Sequence, residues 1–142
     1  MNKGKPKVKP RNSKGPYNSK REWKVMMLFN KILPNLIAID NGFYSWLKSP
    51  HGSPMQLDRY YPELKLAIEV DGRQHVQYST YFHSSIDAFE HQKRCDKIKN
   101  KVCNERGIKL IRIRYDMPLN LESLLRRLRR VGITVPSPLK GE

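Results

Sequence analysis

The sequence predicts an α/β domain with a small mixed β-sheet flanked by helices. Three observations predict it. Residues 55–70 read as a β-hairpin. A long helical stretch over about 86–106 is followed at once by the alternating run KLIRIRY. Amphipathic helical patterns stand near both ends of the chain. At 142 residues the length suits one compact domain, placed over 19–135, with an arm over 1–18 and a short tail over 136–142.

Each element has a local reason. Ser19 and Glu22 fit a capping box, so a helix starts there; Trp23, Met26, Met27, Phe29 and Leu33 supply an apolar face, and Pro34 ends it. Residues 35–54 read as irregular, with Asn41-Gly42 and Ser53-Pro54 as turn signals. Phe43, Tyr44 and Trp46 in this stretch are expected in the core rather than as a wedge that stacks on bases. Met55–Tyr61 alternates, Pro62-Glu63 turns, and Leu64–Val70 is continuously apolar, as in a central strand. Residues 76–84 read as a loop. Ser85 is placed to cap the long helix and Gly107 to end it. Lys109–Tyr115 adds a strand beside the hairpin. Leu121–Val131 is a basic amphipathic helix, with Leu121, Leu124, Leu125 and Leu128 inward and Arg126, Arg127, Arg129 and Arg130 largely outward.

The charge balance points to a partner. Twenty-eight Lys and Arg against 13 Asp and Glu give a net charge of +15, which favours a polyanion such as DNA or RNA. No apolar run approaches the roughly 20 residues that a spanning helix needs, so no membrane partner is expected. The basic start lacks an apolar stretch of the signal-peptide kind, and a cytoplasmic location is expected. Lys3, Lys5, Lys7, Lys9 and Arg11 make residues 1–18 a basic arm that is expected to be disordered alone and to lie along phosphates. Cys95 and Cys103, eight apart on one helix, would stand about 12 Å from each other, too far for a disulfide.

The stretch LAIEVDGRQH concentrates chemistry at the end of an apolar strand. Glu69 and Asp71, two apart, share one face, while Leu66, Ile68 and Val70 point to the other. A hairpin turning near Pro62-Glu63 brings Asp58 opposite. Three crowded carboxylates call for a cation, and oxygen donors with water suit Mg²⁺ or Mn²⁺. Gly72 lets the backbone bend, and His75 in the following loop is placed to act as general acid or base.

The string LDRYYPELKLAIEVDGRQH … CDKIKNKVCNERGIKLIRIRY resembles the PD-(D/E)xK nuclease superfamily. It is most similar to the very-short-patch-repair-like branch, which includes homing endonucleases with an EDxHD motif. The matching positions are Asp58; Glu69, Asp71, Gly72 and His75; Asp96 with Lys99; and Gly107 through Arg112, within residues 19–116. The resemblance implies a restriction-endonuclease-like core and metal-assisted phosphodiester hydrolysis. Asp58, Glu69 and Asp71 would hold Mg²⁺ (or Mn²⁺), and no small-molecule cofactor is implied. Asp71 stands where the superfamily usually has lysine, which leaves His75 as the substitute. Asp96 is either part of the site or an i,i+3 partner of Lys99. Glu22 is either a site acid or simply part of its capping box. Lys93, Arg94, Lys97 and Lys99 would face phosphate. The size, the arm and a possible homodimer favour a structure-selective enzyme that resolves Holliday junctions or other branched DNA, as in phage. A homing or mismatch-type nicking endonuclease and a non-catalytic nucleic-acid-binding protein are the alternatives. A zinc site from His83, His91, Cys95 and Cys103 is disfavoured by their spacing and by the lack of a C-x-x-C knuckle.

Overall fold

The computed structural model describes residues 17–72, 78 and 85–135. The expected arm, its cations Lys3, Lys5, Lys7, Lys9 and Arg11, the loop residues His75 and His83, and the tail 136–142 lie outside the described residues. The elements run α1 (Lys20–Ile32), β1 (Ile39–Lys48), β2 (Pro54–Tyr61), β3 (Leu66–Asp71), α2 (Ile86–Glu105), β4 (Lys109–Arg114) and α3 (Leu121–Arg130). The stretch expected as one domain divides by its contacts into two compact units. One runs up to Leu36 and resumes at Pro118; the other is Ile37–Met117.

The first unit is a helix pair. Ser19 caps α1, its Oγ accepting from the Glu22 amide at 3.0 Å, as the capping pattern requires. The α1 face of Val25, Met26, Phe29 and Ile32 is buried, and so is Glu22. Asn120 caps α3 by accepting from the Ser123 amide at 2.8 Å. Leu124, Leu125 and Leu128 are buried, while Leu121 is half-buried. The arginines cluster in the last turn, where they meet the negative end of the helix dipole.

The second unit carries a mixed four-stranded sheet in the order β1-β2-β3-β4. The first three strands are antiparallel; β4 pairs parallel to β3 after the α2 crossover. Helix α2 lies on this sheet, with Cys103 buried among Leu47, Leu57, Ala67 and Ile108. Cys95 and Cys103 are both free thiols. Ser85 caps α2 through the Ala88 amide, and Gly107, at φ +73°, makes the left-handed turn from α2 into β4.

The expected irregular stretch is in part wrong: Ile39–Lys48 is strand β1. Asn41-Gly42 does not turn the chain. Asn41 takes a left-handed backbone (φ 57°) inside the strand, and the pairing with β2 keeps its register from Ile39 to Tyr44. Phe43 is also not core; it is 67% exposed, whereas Tyr44 and Trp46 on the opposite strand face pack against the buried cluster.

A buried ion pair fastens β1 to β2. Arg59, 3% exposed, meets its register partner Asp40 with two bonds, Nε to Oδ1 at 2.6 Å and Nη2 to Oδ2 at 3.0 Å. Its Nη1 donates to the Tyr61 hydroxyl at 3.0 Å. Burial opposes the guanidinium charge, but the bonds to Asp40 and Tyr61 outweigh it and hold the pKa above its ordinary value. Asp40→Ala leaves that cation buried without its carboxylate, and a loss of about 3 kcal/mol in urea unfolding is expected.

Candidate functional site

The candidate site lies on the sheet face beneath α2. Backbone pairing between β2 and β3 runs only over Arg59–Ile68, Tyr60–Ala67 and Tyr61–Leu66. Beyond it two carboxylates carry the ladder. Glu69 Oε2 accepts from the Asp58 amide at 2.8 Å, and Asp58 Oδ2 accepts from the Val70 amide at 2.8 Å. Each acid thus satisfies a main-chain donor of the opposite strand.

The hairpin brings Asp58 and Glu69 together as the sequence predicts. Glu69 (3% exposed) and Asp71 (6%) are buried. Buried carboxylates need compensation, and two cations supply it. Lys99 Nζ, from α2, donates to Glu69 Oε1 at 2.9 Å. Arg112 Nη1, from β4, reaches both oxygens of Asp71 at 3.0 Å. Arg112 also ties the sheet to α2: Nε donates to Asn100 Oδ1 at 3.0 Å, Nη2 donates to the Asp96 carbonyl at 3.1 Å, and Nη1 stands 3.9 Å from the Asp96 carboxylate.

Asp58 and Glu69 thus form one cluster with Lys99, and Asp71 and Asp96 form a neighbouring one around Arg112. Asp96 enters through Arg112, and the cation bonded to Glu69 is Lys99. The sequence points Lys99 at phosphate, yet its side chain is only 13% exposed and turns inward. Lys93, Arg94 and Lys97 are exposed on α2, where solvent-borne phosphate can reach them. Glu22 belongs to the helix-pair unit and His75 lies outside the described residues.

The sequence by itself assigns no role to Arg112 or Asn100. Arg112 is legible in principle: Ile111 and Ile113 point one way in KLIRIRY, so Arg112 points the other. Parallel pairing sets it beside Glu69. Asp96, Lys99 and Cys103, at i, i+3 and i+7, likewise mark the inner face of α2.

Among the described residues no group of three or more His, Cys, Asp or Glu side chains is arranged to hold a metal ion. The acids present are hard oxygen donors, however, and Mg²⁺ commonly takes only one or two carboxylates, with waters and substrate phosphate completing its shell. Glu69 is bonded through both oxygens, to the Asp58 amide and to Lys99, and Asp71 through both to Arg112, so an ion held here would share these oxygens with their present partners.

Of the four residues weighed for zinc, His91 and Cys95 touch (Nε2 to Sγ 3.5 Å), and burial pushes the Cys95 thiol up. Cys103 lies apart in the core. His51, unforeseen, stacks on His91 at 5.0 Å.

No protein-family profile and no solved structure matches the chain. Three viral proteins are similar to it. "Uncharacterized protein 307L" of Invertebrate iridescent virus 6 is 35% identical over 77 residues, 52% of this chain and 39% of the relative. "Uncharacterized protein 033L" of Invertebrate iridescent virus 3 is 30% identical over 95 residues, 65% of this chain and 49% of the relative. "Uncharacterized protein 094L" of Frog virus 3 (isolate Goorha) is 37% identical over 78 residues, 54% of this chain and 50% of the relative. The chain thus spans about half or less of these relatives' length. Among the described residues no helix is long and apolar enough to cross a membrane.

The network predicts a specific coupling. Lys99→Met strands the buried Glu69 charge and is expected to cost about 3 kcal/mol. Glu69→Gln keeps an acceptor for the Asp58 amide without the charge, so the double variant should recover at least half of that loss. A double-mutant cycle in denaturant measures it.

Proposed function

We propose that the protein is a metal-dependent DNA endonuclease, selective for branched DNA. The observation that carries the reading is the pairing of half-buried Asp58 with buried Glu69, with Lys99 bonded to Glu69, in a chain of net charge +15. Exposed Lys93, Arg94 and Lys97 on the same helix supply counter-charge for phosphate. Asp58 and Glu69 would hold Mg²⁺, which when bound supplies Lewis-acid polarisation of phosphate and a more acidic water. Asp71 and Arg112 position β3 and β4 around the pair. Lys99 fills the role that no lysine in the strand motif could take: a cation at the acid pair, delivered from a helix. His75 would take or orient the proton of the attacking water. Action on paired branches favours a homodimer.

A second reading rests on a different observation. Lys99 and Arg112 already compensate Glu69 and Asp71, so the cluster also suits a nucleic-acid-binding module whose acids only brace the fold.

A cleavage assay separates the two. Linear duplex, mismatch duplex, fork and four-way junction are incubated with Mg²⁺ or with EDTA. The nuclease reading expects Mg²⁺-dependent cuts, strongest on the junction. Glu69→Gln should lower the rate by at least about a hundredfold, the scale on which such charge-stabilising groups act, with binding in EDTA nearly unchanged. Binding without cuts in either Mg²⁺ or Mn²⁺ selects the second reading. Mg²⁺ should also raise the melting temperature of the wild type and leave that of Glu69→Gln unmoved.

The basic arm makes an independent prediction. Deleting residues 1–18 should weaken binding to every DNA and flatten the salt dependence of affinity, by close to one unit of slope for each phosphate that the arm neutralises. An unchanged slope in a filter-binding titration would make the arm a tail.

A further inference from the structure

A concave site separate from the acid pair lies in the sheet unit, at the opposite end of α2 from the helix start. It is a cleft of about 290 Å³ lined by Tyr44, Trp46, Tyr60, Lys65, Arg106 and Ile108. That volume is near the lower limit for ligand clefts, enough for one flat ring system. Three of its six lining residues are aromatic. Tyr44 and Trp46 lie 4.9 Å apart with a 32° tilt, and Tyr60 meets Tyr44 edge-on at 5.9 Å. The two cations at its edge, Lys65 and Arg106, make no ion pair among the described residues, and both are exposed. The Arg106 guanidinium lies over the Trp46 ring, 4.4 Å from its centre.

This composition is not that of an ordinary core edge. Aromatic rings beside unpaired cations fit a ligand with one flat apolar face and one negative group. The guanidinium carbon stands over the Trp46 ring, so this ring face already accepts a polar partner. The Tyr44 hydroxyl is buried and has no hydrogen-bond partner among the described residues. It stands 2.9 Å from where a side chain at Gly42 would begin, so the ring is held in place by a residue that leaves it room.

From these residues we propose that the cleft binds one unpaired nucleotide of DNA. The base takes the Trp46 face, and the displaced Arg106 turns with Lys65 to the adjoining phosphate. Arg106 follows Lys99 by seven residues, about 10 Å along α2, or about three base steps at 3.4 Å. A base held there would set an unpaired strand within a few nucleotides of Asp58 and Glu69. The inference deepens the proposed function by naming what the enzyme recognises in branched DNA. It rests on that reading for DNA as the partner, not for cleavage.

The test is binding in EDTA by the full chain. The probes are a plain duplex, the same duplex with one extrahelical thymidine, and oligothymidylate. The readout is the affinity ratio of bulged to plain duplex, because removing a surface charge weakens all DNAs alike. The wild type should favour the bulged duplex by at least about fivefold, the lower end of base–aromatic stacking. Trp46→Leu should bring the ratio to near one, and Arg106→Gln, which removes a contact to the extrahelical nucleotide's own phosphate, should lower it about twofold or more; Arg106 is exposed, so its variant keeps the test valid if Trp46→Leu unfolds. Photocrosslinking of 5-iodouracil at the bulge should label Trp46, Tyr44 or Tyr60. An unchanged ratio in Arg106→Gln, or a crosslink confined to other residues, overturns the cleft assignment. A ratio that collapses in the variants when no DNA is ever cut keeps the cleft and sinks the nuclease. No binding to any probe sinks both.

Discussion

Two buried carboxylates on one sheet face are the constraint on which the sheet unit depends. An uncompensated carboxylate there would cost several kcal/mol. The chain meets this demand with groups from every neighbouring element. Backbone amides of β2 and β3 satisfy one side of the Asp58–Glu69 pair, α2 brings Lys99, and β4 brings Arg112 to Asp71. The same guanidinium reaches the Asp96 carbonyl and Asn100. The position of α2 over the sheet is thus tied to the carboxylates of β3.

That arrangement has a chemical meaning whichever activity the protein proves to have. A network that is fully bonded holds its members in a single geometry. Acids that must meet a phosphate gain from such pre-organisation, since the cost of gathering like charges is met during folding rather than on binding. The ion pair Asp40–Arg59 plays the corresponding role between β1 and β2, where no ligand is implied. It fastens β1, the strand that carries Tyr44 and Trp46, to the strand that carries Asp58. The aromatic cleft and the acid pair are consequently set on one braced sheet.

Much of this is legible in the residues, for reasons that differ by element. The helix starts are readable because Ser19 and Ser85 cap through their own side chains, a local event. The hairpin and β4 are readable because their alternation has the period of a strand. Strand β1 is not, because Asn41-Gly42 is a strong turn signal in isolation, and only pairing with β2 holds Asn41 in a left-handed conformation without turning the chain. Phe43 looks like core for a related reason: aromatic residues are commonly buried, but alternation gives that face to Tyr44 and Trp46. At the site, the convergence of Asp58 and Glu69 follows from the hairpin alone. The identity of their cation does not. Lys99 lies 30 residues from Glu69, and sequence spacing offers Asp96 as its partner. The Arg112 guanidinium, whose register partner is Glu69, goes to Asp71 and Asp96 instead.

The placement of Lys99 also bears on why the strand itself carries Asp71 and not lysine. A lysine in place of Asp71 would stand on the same face, beside Arg112 and under Lys99, removing one of the two buried carboxylates and adding a third cation. Asp71 reverses that: it gives Arg112 a partner, so the guanidinium can hold β4 against α2, and it leaves the acid pair to the cation on the helix. The positive charge at Glu69 thus comes from a helix that also presents Lys93, Arg94 and Lys97 to solvent. One helix then carries both the largely buried cation that bonds Glu69 and three exposed cations on its solvent side.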